Sequence, residues 1–191
     1  MTATMPATAT TTPLMSAEEF LRDYGDTDGV ELVLGQLVRL PMPGGKHGRI
    51  SGKAYGILYD YLKLQNLGRV ATNDAFIRAH NDPVSYRGPD LLYVSHALLP
   101  ADQEFPDGPF EFAPELVIEV RLPSDRLKKV IEKGQEYLDA GVKVVIIIDP
   151  DTESLGVFRA EELPMRYHNG DIVTLPDVLP GFSTPVKAFF E

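Results

Sequence analysis

The chain has 191 residues with no cysteine and no tryptophan, 43% apolar side chains, and 28 acidic against 18 basic groups, giving a formal net charge of -10 at pH 7. The cysteine count excludes disulfides and cysteine-bound metal, and the negative balance argues against a protein that coats nucleic acid non-specifically, because such binding rests on Lys and Arg neutralising phosphates. The longest apolar runs, such as Val144 to Ile148, fall far short of the roughly 20 residues that span a bilayer, so no membrane partner is expected.

Residues 1–13 are almost entirely Thr, Ala, Met and Pro, a composition that cannot offset the entropy of ordering and predicts a disordered arm. The arm has neither a basic residue nor an apolar block, which argues against a secretory or mitochondrial leader and gives a cytoplasmic address. A single domain is expected over 14–191. Ser16-Ala-Glu-Glu19 fits a capping box, with Met15 and Phe20 as the hydrophobic staple of a short helix ending near Gly25. Alternation of Val30, Leu32 and Leu34, then Gly35 and the run Gln36 to Leu40, predicts a hairpin. Ile50, Ala54, Ile57, Leu58, Tyr61 and Leu62 recur at helical spacing between about His47 and Leu64, with Gly68 as the stop.

A strand is predicted over Arg69 to Arg78, a turn-rich segment over His80 to Pro89, a short strand over Asp90 to Val94, and a proline-rich acidic surface loop over Pro100 to Pro114. Leu116 to Val120 and Val144 to Ile148 have the β-branched composition of strands covered on both faces. The helix between them is capped by Ser124 or Asp125 and ended by Gly141, which completes a βαβ unit. Ser154 to Arg159 and Asp171 to Leu175 suggest a small antiparallel extension.

Two carboxylates stand out. Asp90 opens one strand, and Glu119 lies inside Leu116-Val-Ile-Glu-Val120 among aliphatic neighbours. A buried carboxylate has to meet a cation, gain hydrogen bonds or take up a proton; the plain structural reading is an ion pair with Arg121 or Arg87. If the two strands are adjacent, the carboxylates repel by about 4 kcal/mol at 4 Å and an effective dielectric near 20, a penalty that a divalent ion removes. Hard oxygen ligands with waters completing the shell suit Mg²⁺ or Mn²⁺. Lys133 lies at the edge of the apolar stripe of its helix, where it either bends toward the sheet or snorkels at the margin of the core.

These residues resemble a known group. Pro89-Asp90, twenty-eight residues, Glu119-Val120 on a hydrophobic strand and a helix bearing Lys133 are similar to the PD-(D/E)XK nuclease superfamily. More narrowly, Pro89-Asp-Leu-Leu-Tyr-Val94, Glu115-Leu-Val-Ile-Glu-Val120, Pro123-Ser-Asp-Arg126, Lys133-Gly-Gln-Glu-Tyr137 and Leu179-Pro-Gly-Phe182 resemble the Uma-two family of restriction-endonuclease-like proteins. The resemblance implies an α/β fold, a restriction-endonuclease-like mixed β-sheet flanked by α-helices, with Asp90 and Glu119 as metal ligands. It also implies that Lys133 stands in for the lysine usually found two residues after the glutamate, where this chain has Arg121. Arginine cannot give up its proton at neutral pH, so Arg121 is restricted to binding phosphate or stabilising charge. In related sequences Glu31 corresponds to a recurring glutamate ahead of a glycine turn, a candidate acceptor for a metal-bound water, and His47 to a recurring helix-opening histidine, a candidate phosphate binder; the plain alternative for His47 is a packed or capping residue.

Charge patterning agrees with a phosphate-facing site. No acid occurs between Leu32 and Tyr59, where Arg39, Lys46, Arg49 and Lys53 lie, and five bases stand between Arg121 and Lys133 against Asp125 and Glu132. Pro43-Gly-Gly-Lys46 lacks the first glycine and the hydroxyl residue of a nucleotide-binding loop. The expectation is a Mg²⁺-dependent endonuclease acting on nucleic acid, DNA in particular, as a homodimer. The rival is a catalytically inactive domain of the same fold that serves binding or assembly, with Arg121 paired to Glu119.

Overall fold

The computed structural model describes residues 13–191. The disordered arm expected over 1–13 lies, apart from Pro13, outside the described residues. Helix α1 (Ala17–Tyr24) starts as its sequence requires: the Ser16 hydroxyl accepts the Glu19 N–H, and the Glu19 carboxylate accepts the Ser16 N–H. Phe20, buried, packs with Val30, Leu32, Val84 and Tyr86, and Met15 joins that cluster from the surface.

Strands β1 (Val30–Val33) and β2 (Gln36–Arg39) form the expected hairpin. Helix α2 (Gly45–Gln65) ends at Asn66, which takes the left-handed conformation (φ 48°), rather than at Gly68. The segment read as one strand over Arg69 to Arg78 is two: β3 (Gly68–Thr72) and β4 (Ile77–Asn81) belong to different sheets. Asn73 and Asp74 separate them with φ of 66° and 57°, a conformation that Asn and Asp tolerate better than other side chains. The turn-rich segment contains a further buried strand, β5 (Val84–Arg87), which pairs with β4 and β1.

Strands β6 (Leu91–Ser95), β7 (Leu116–Val120) and β8 (Val144–Asp149) follow, with helix α3 (Leu127–Asp139) between the last two. Strands β7 and β8 are parallel, as the βαβ reading requires. Neither Ser124 nor Asp125 caps α3; Arg126 holds the cap position without a side-chain bond, and Asp125 instead accepts the Leu122 N–H at 2.9 Å. The extension also differs. Strand β9 (Ser154–Phe158) pairs with β8 and β10 (Met165–His168), whereas β11 (Ile172–Leu175) pairs with β12 (Leu179–Pro185), ahead of a closing 3-10 turn, Val186–Phe189.

The result is a mixed six-stranded sheet in the order β10-β9-β8-β7-β6-β3, beside an antiparallel sheet β2-β1-β5-β4 and the β11-β12 ribbon. Alternation along β7 divides the core. Leu116, Ile118 and Val120 pack under α2 residues Ile50, Ala54 and Leu58, while Val117 packs under α3 residues Val130, Tyr137 and Leu138. Glu119 has the parity of Val117, so its carboxylate is directed to the α3 side. No helix among the described residues is long and apolar enough to cross a membrane.

Candidate metal and phosphate site

The site forms where β7 ends, with the start of α2 on one face of the sheet and α3 on the other. In the β6–β7 register Leu91 faces Ile118, so one further antiparallel step sets Asp90 opposite Glu119. The two carboxylates singled out in the sequence therefore lie at neighbouring strand ends. Asp90 accepts the Val120 N–H on Oδ2 at 2.7 Å and meets His47 Nε2 with Oδ1 at 3.2 Å. Burial alone would lower the His47 pKa, but the Asp90 carboxylate and the Val120 backbone raise it above the ordinary histidine value.

Glu119 is buried, and its Oε1 accepts both the Tyr137 hydroxyl at 2.7 Å and the Lys133 ammonium at 2.8 Å. Loss of hydration pushes the Glu119 carboxyl up to about 7; Lys133 opposes that rise while Asp90 and Glu31 add to it. Lys133 does bend toward the sheet. Its amine also meets Glu31 Oε1 at 2.9 Å and the Gly88 carbonyl at 3.2 Å, so all three ammonium protons have acceptors. Burial pulls the Lys133 pKa down, yet Glu119 and Glu31 outweigh it and hold the amine charged.

Glu31, fully buried on β1, supports this lysine from behind. It accepts Arg87 Nη1 at 2.7 Å on Oε2 and the Gly88 N–H at 3.1 Å on Oε1. Burial raises its pKa, but Lys133 and Arg87 bring it below the ordinary glutamate value. Arg87 does not reach Glu119; its other edge grips Glu136 of α3 through two bonds of 2.8 and 2.7 Å, the bidentate geometry suited to a guanidinium. Arg121 also stays away from Glu119. Its Nη2 pairs with Asp149 at 2.9 Å and Asp151 at 2.7 Å, so the Arg121–Glu119 ion pair expected of an inert domain does not form.

Sequence reasoning thus brought Asp90, Glu119, Lys133, His47 and Glu31 together and misplaced the partners of Arg87 and Arg121. It missed the chemistry of Tyr137, which sits one helical turn after Lys133 and so faces the same carboxylate. It also missed Asp74. Gly88 runs so close to this residue that a Cβ on the glycine would lie 2.8 Å from the Asp74 carbonyl oxygen, and dehydration together with the charge of Asp90 raises the Asp74 pKa.

The donor set is one of hard oxygens. Among the described residues no three acidic or imidazole groups are placed to hold a metal by themselves. Two carboxylates with waters completing the shell are nonetheless the usual coordination of Mg²⁺, and the bonds to Glu119 from the described residues are all on Oε1, leaving Oε2 without a donor among them.

Comparison with known proteins agrees with this architecture. A protein from Anabaena variabilis, solved by crystallography and described as a "putative nuclease belonging to DUF820", superposes with a TM-score of 0.81 at 22% identity, covering 92% of this chain and 97% of that one. At that identity the likeness establishes the fold. No curated protein matches the chain. The Uma2 family, described as "Putative restriction endonuclease", matches residues 17–187, and the chain belongs to that family.

Proposed function

We propose that the chain is an endonuclease that hydrolyses phosphodiester bonds of DNA with Mg²⁺ or Mn²⁺ held by Asp90 and Glu119. The observation that carries this reading is the placement of two carboxylates from distant parts of the chain at neighbouring strand ends, with a buried, charged lysine against Glu119. Bound there, a divalent ion would supply Lewis acidity to a phosphoryl oxygen and lower the pKa of a water. The chain's own groups supply the rest. Lys133 presents a fixed positive charge where negative charge grows as the water oxygen bonds to phosphorus, releasing a proton to solvent, and the P–O ester bond breaks, with the leaving oxygen taking a proton from solvent. Tyr137 orients Glu119, Glu31 holds Lys133, and His47 orients Asp90 beside a phosphate-binding face that includes Arg121. A two-fold homodimer in the cytoplasm would bring such a site to each strand of a duplex.

One observation favours the inert alternative: His47 and Lys133 already offset the charge of the two carboxylates without a metal. Titration calorimetry separates the readings. Mn²⁺ is expected to bind the wild type, and Asp90→Ala and Glu119→Ala each to abolish binding; unchanged binding in both refutes the site. Plasmid nicking in Mg²⁺, lost in Lys133→Ala, is the matching activity test. A wild type inert across metals and substrates leaves a binding or assembly module.

A further inference from the structure

Beside the carboxylates, two cations converge on one exposed acid. Arg121 follows Glu119 by two residues and so shares its side of β7, and Lys46 immediately precedes His47 in the first turn of α2. Asp151, in the turn between β8 and β9, meets Arg121 Nη2 at 2.7 Å and Lys46 Nζ at 3.5 Å. The two cations do not depend on it equally. Arg121 keeps the half-buried anchor Asp149 at 2.9 Å, and Lys46 also donates to the Pro150 carbonyl at 2.9 Å. The side chains of Lys46 and Asp151 are 56% and 47% exposed, and exposed ion pairs of this kind contribute little to stability.

The start of α2 adds to the positive field. Its first turn carries no acid and its Gly44 cap provides no side-chain acceptor, so the leading N–H groups and the helix dipole face the same mouth. A cation pair and a helix start beside a phosphodiesterase-like centre, filled by a half-exposed carboxylate that is not the sole partner of either cation, have the form of an anion site occupied from within.

We propose that Lys46, Arg121 and the start of α2 form a phosphodiester subsite for nucleic acid, and that Asp151 occupies it in the free protein as an internal anion which the substrate backbone displaces. The inference rests on the nuclease reading for the identity of the polyanion. It predicts a gain of affinity on removing an acid at this one place.

The test is equilibrium binding of a fluorescein-labelled single-stranded oligodeoxynucleotide in EDTA, where cleavage does not interfere. Asp151→Asn is expected to bind at least threefold more tightly than wild type, and Lys46→Ala at least threefold more weakly. Asp102→Asn, which removes an exposed acid outside these ion pairs, controls for net charge and is expected to change affinity by less than half as much. An Asp151→Asn protein with native circular dichroism and no gain, or a gain matched by Asp102→Asn, overturns the proposal. If Asp151→Asn does not fold, Asp151→Ser is judged by the same criterion. Plasmid nicking in Mg²⁺ separates the two inferences: nicking without the Asp151 effect leaves the nuclease and removes the internal anion, whereas tighter binding with no nicking does the reverse.

Discussion

Replacing Lys133 by methionine keeps the apolar stem and removes the ammonium. Glu31 then retains Arg87 and the Gly88 N–H, but Glu119 retains only the Tyr137 hydroxyl. Removing one partner of a buried pair costs about 3–5 kcal/mol, a large share of the roughly 5–15 kcal/mol that holds a domain folded. The loss should also depend on pH in a definite direction. In the wild type the folded Glu119 carboxyl lies at about 7 against an ordinary 4.5, so folded protein binds more protons than unfolded protein across that window. Its contribution is therefore fully present below about pH 4.5 and is lost as pH rises through about 7. Without the lysine the carboxyl rises further, so the folded variant keeps its proton to higher pH than wild type. Between pH 7 and about 8.5 the variant holds up to one more proton than wild type, so at about 1.4 kcal/mol per unit its deficit grows with pH, by less than about 2 kcal/mol in all. Urea unfolding followed by circular dichroism and tyrosine fluorescence in EDTA measures this. A deficit that stays constant from pH 7 to about 8.5 would refute the coupling of Lys133 to Glu119.

Tyr137→Phe removes the second hydrogen bond to Glu119 Oε1 and should destabilise by about 1–3 kcal/mol, with nicking turnover falling more than the apparent affinity for DNA. Gly88→Ala forces a Cβ to within 2.8 Å of the Asp74 carbonyl oxygen, next to Pro89 and Asp90; it should lose about 1–3 kcal/mol and weaken Mn²⁺ binding. Gly134→Ala, on α3 beside the lysine, meets Val145 and Ile147 at ordinary contact distances of 3.5 and 3.6 Å. It should instead gain up to about 1 kcal/mol from helix propensity, measured as a higher urea midpoint at unchanged slope.

How much of this site can be read from sequence depends on whether a residue breaks the pattern of its own segment. Glu119 does, because a carboxylate in an apolar strand demands a partner, and Asp90 opens the neighbouring strand; the helix pattern left Lys133 between bending to the sheet and snorkelling, and only the family resemblance pointed it to the site. Tyr137 does not, since an aromatic on the apolar stripe of α3 already has a sufficient reason to be there; only its spacing from Lys133 hints at more. Arg87 was hidden by Asn, Asp, Pro and Ser residues that made β5 look like a turn. Glu31 and Lys133 are 102 positions apart, on strand β1 and helix α3, and no local pattern specifies such a pairing. Asp74 sat inside a predicted strand, although Asn-Asp is itself a turn signal that should have divided that strand in two.

The location of the lysine follows from the anchors at the two candidate positions. At position 121 a side chain leaves β7 toward Asp149, whose carboxyl burial would raise but Arg121 and the Asp151 N–H bring below its ordinary value. At position 133 it enters the gap between Glu31 and Glu119, closed behind by the Arg87–Glu136 clamp. A lysine placed at 121 would therefore be drawn to Asp149, leaving the buried carboxylates no better compensated. The double variant Arg121→Lys with Lys133→Met should accordingly nick no faster than Lys133→Met alone and show the same growing deficit in stability above pH 7. Recovery to within tenfold of wild-type nicking would mean that position 121 reaches the carboxylates after all, and that the helix lysine holds the fold together rather than serving the reaction.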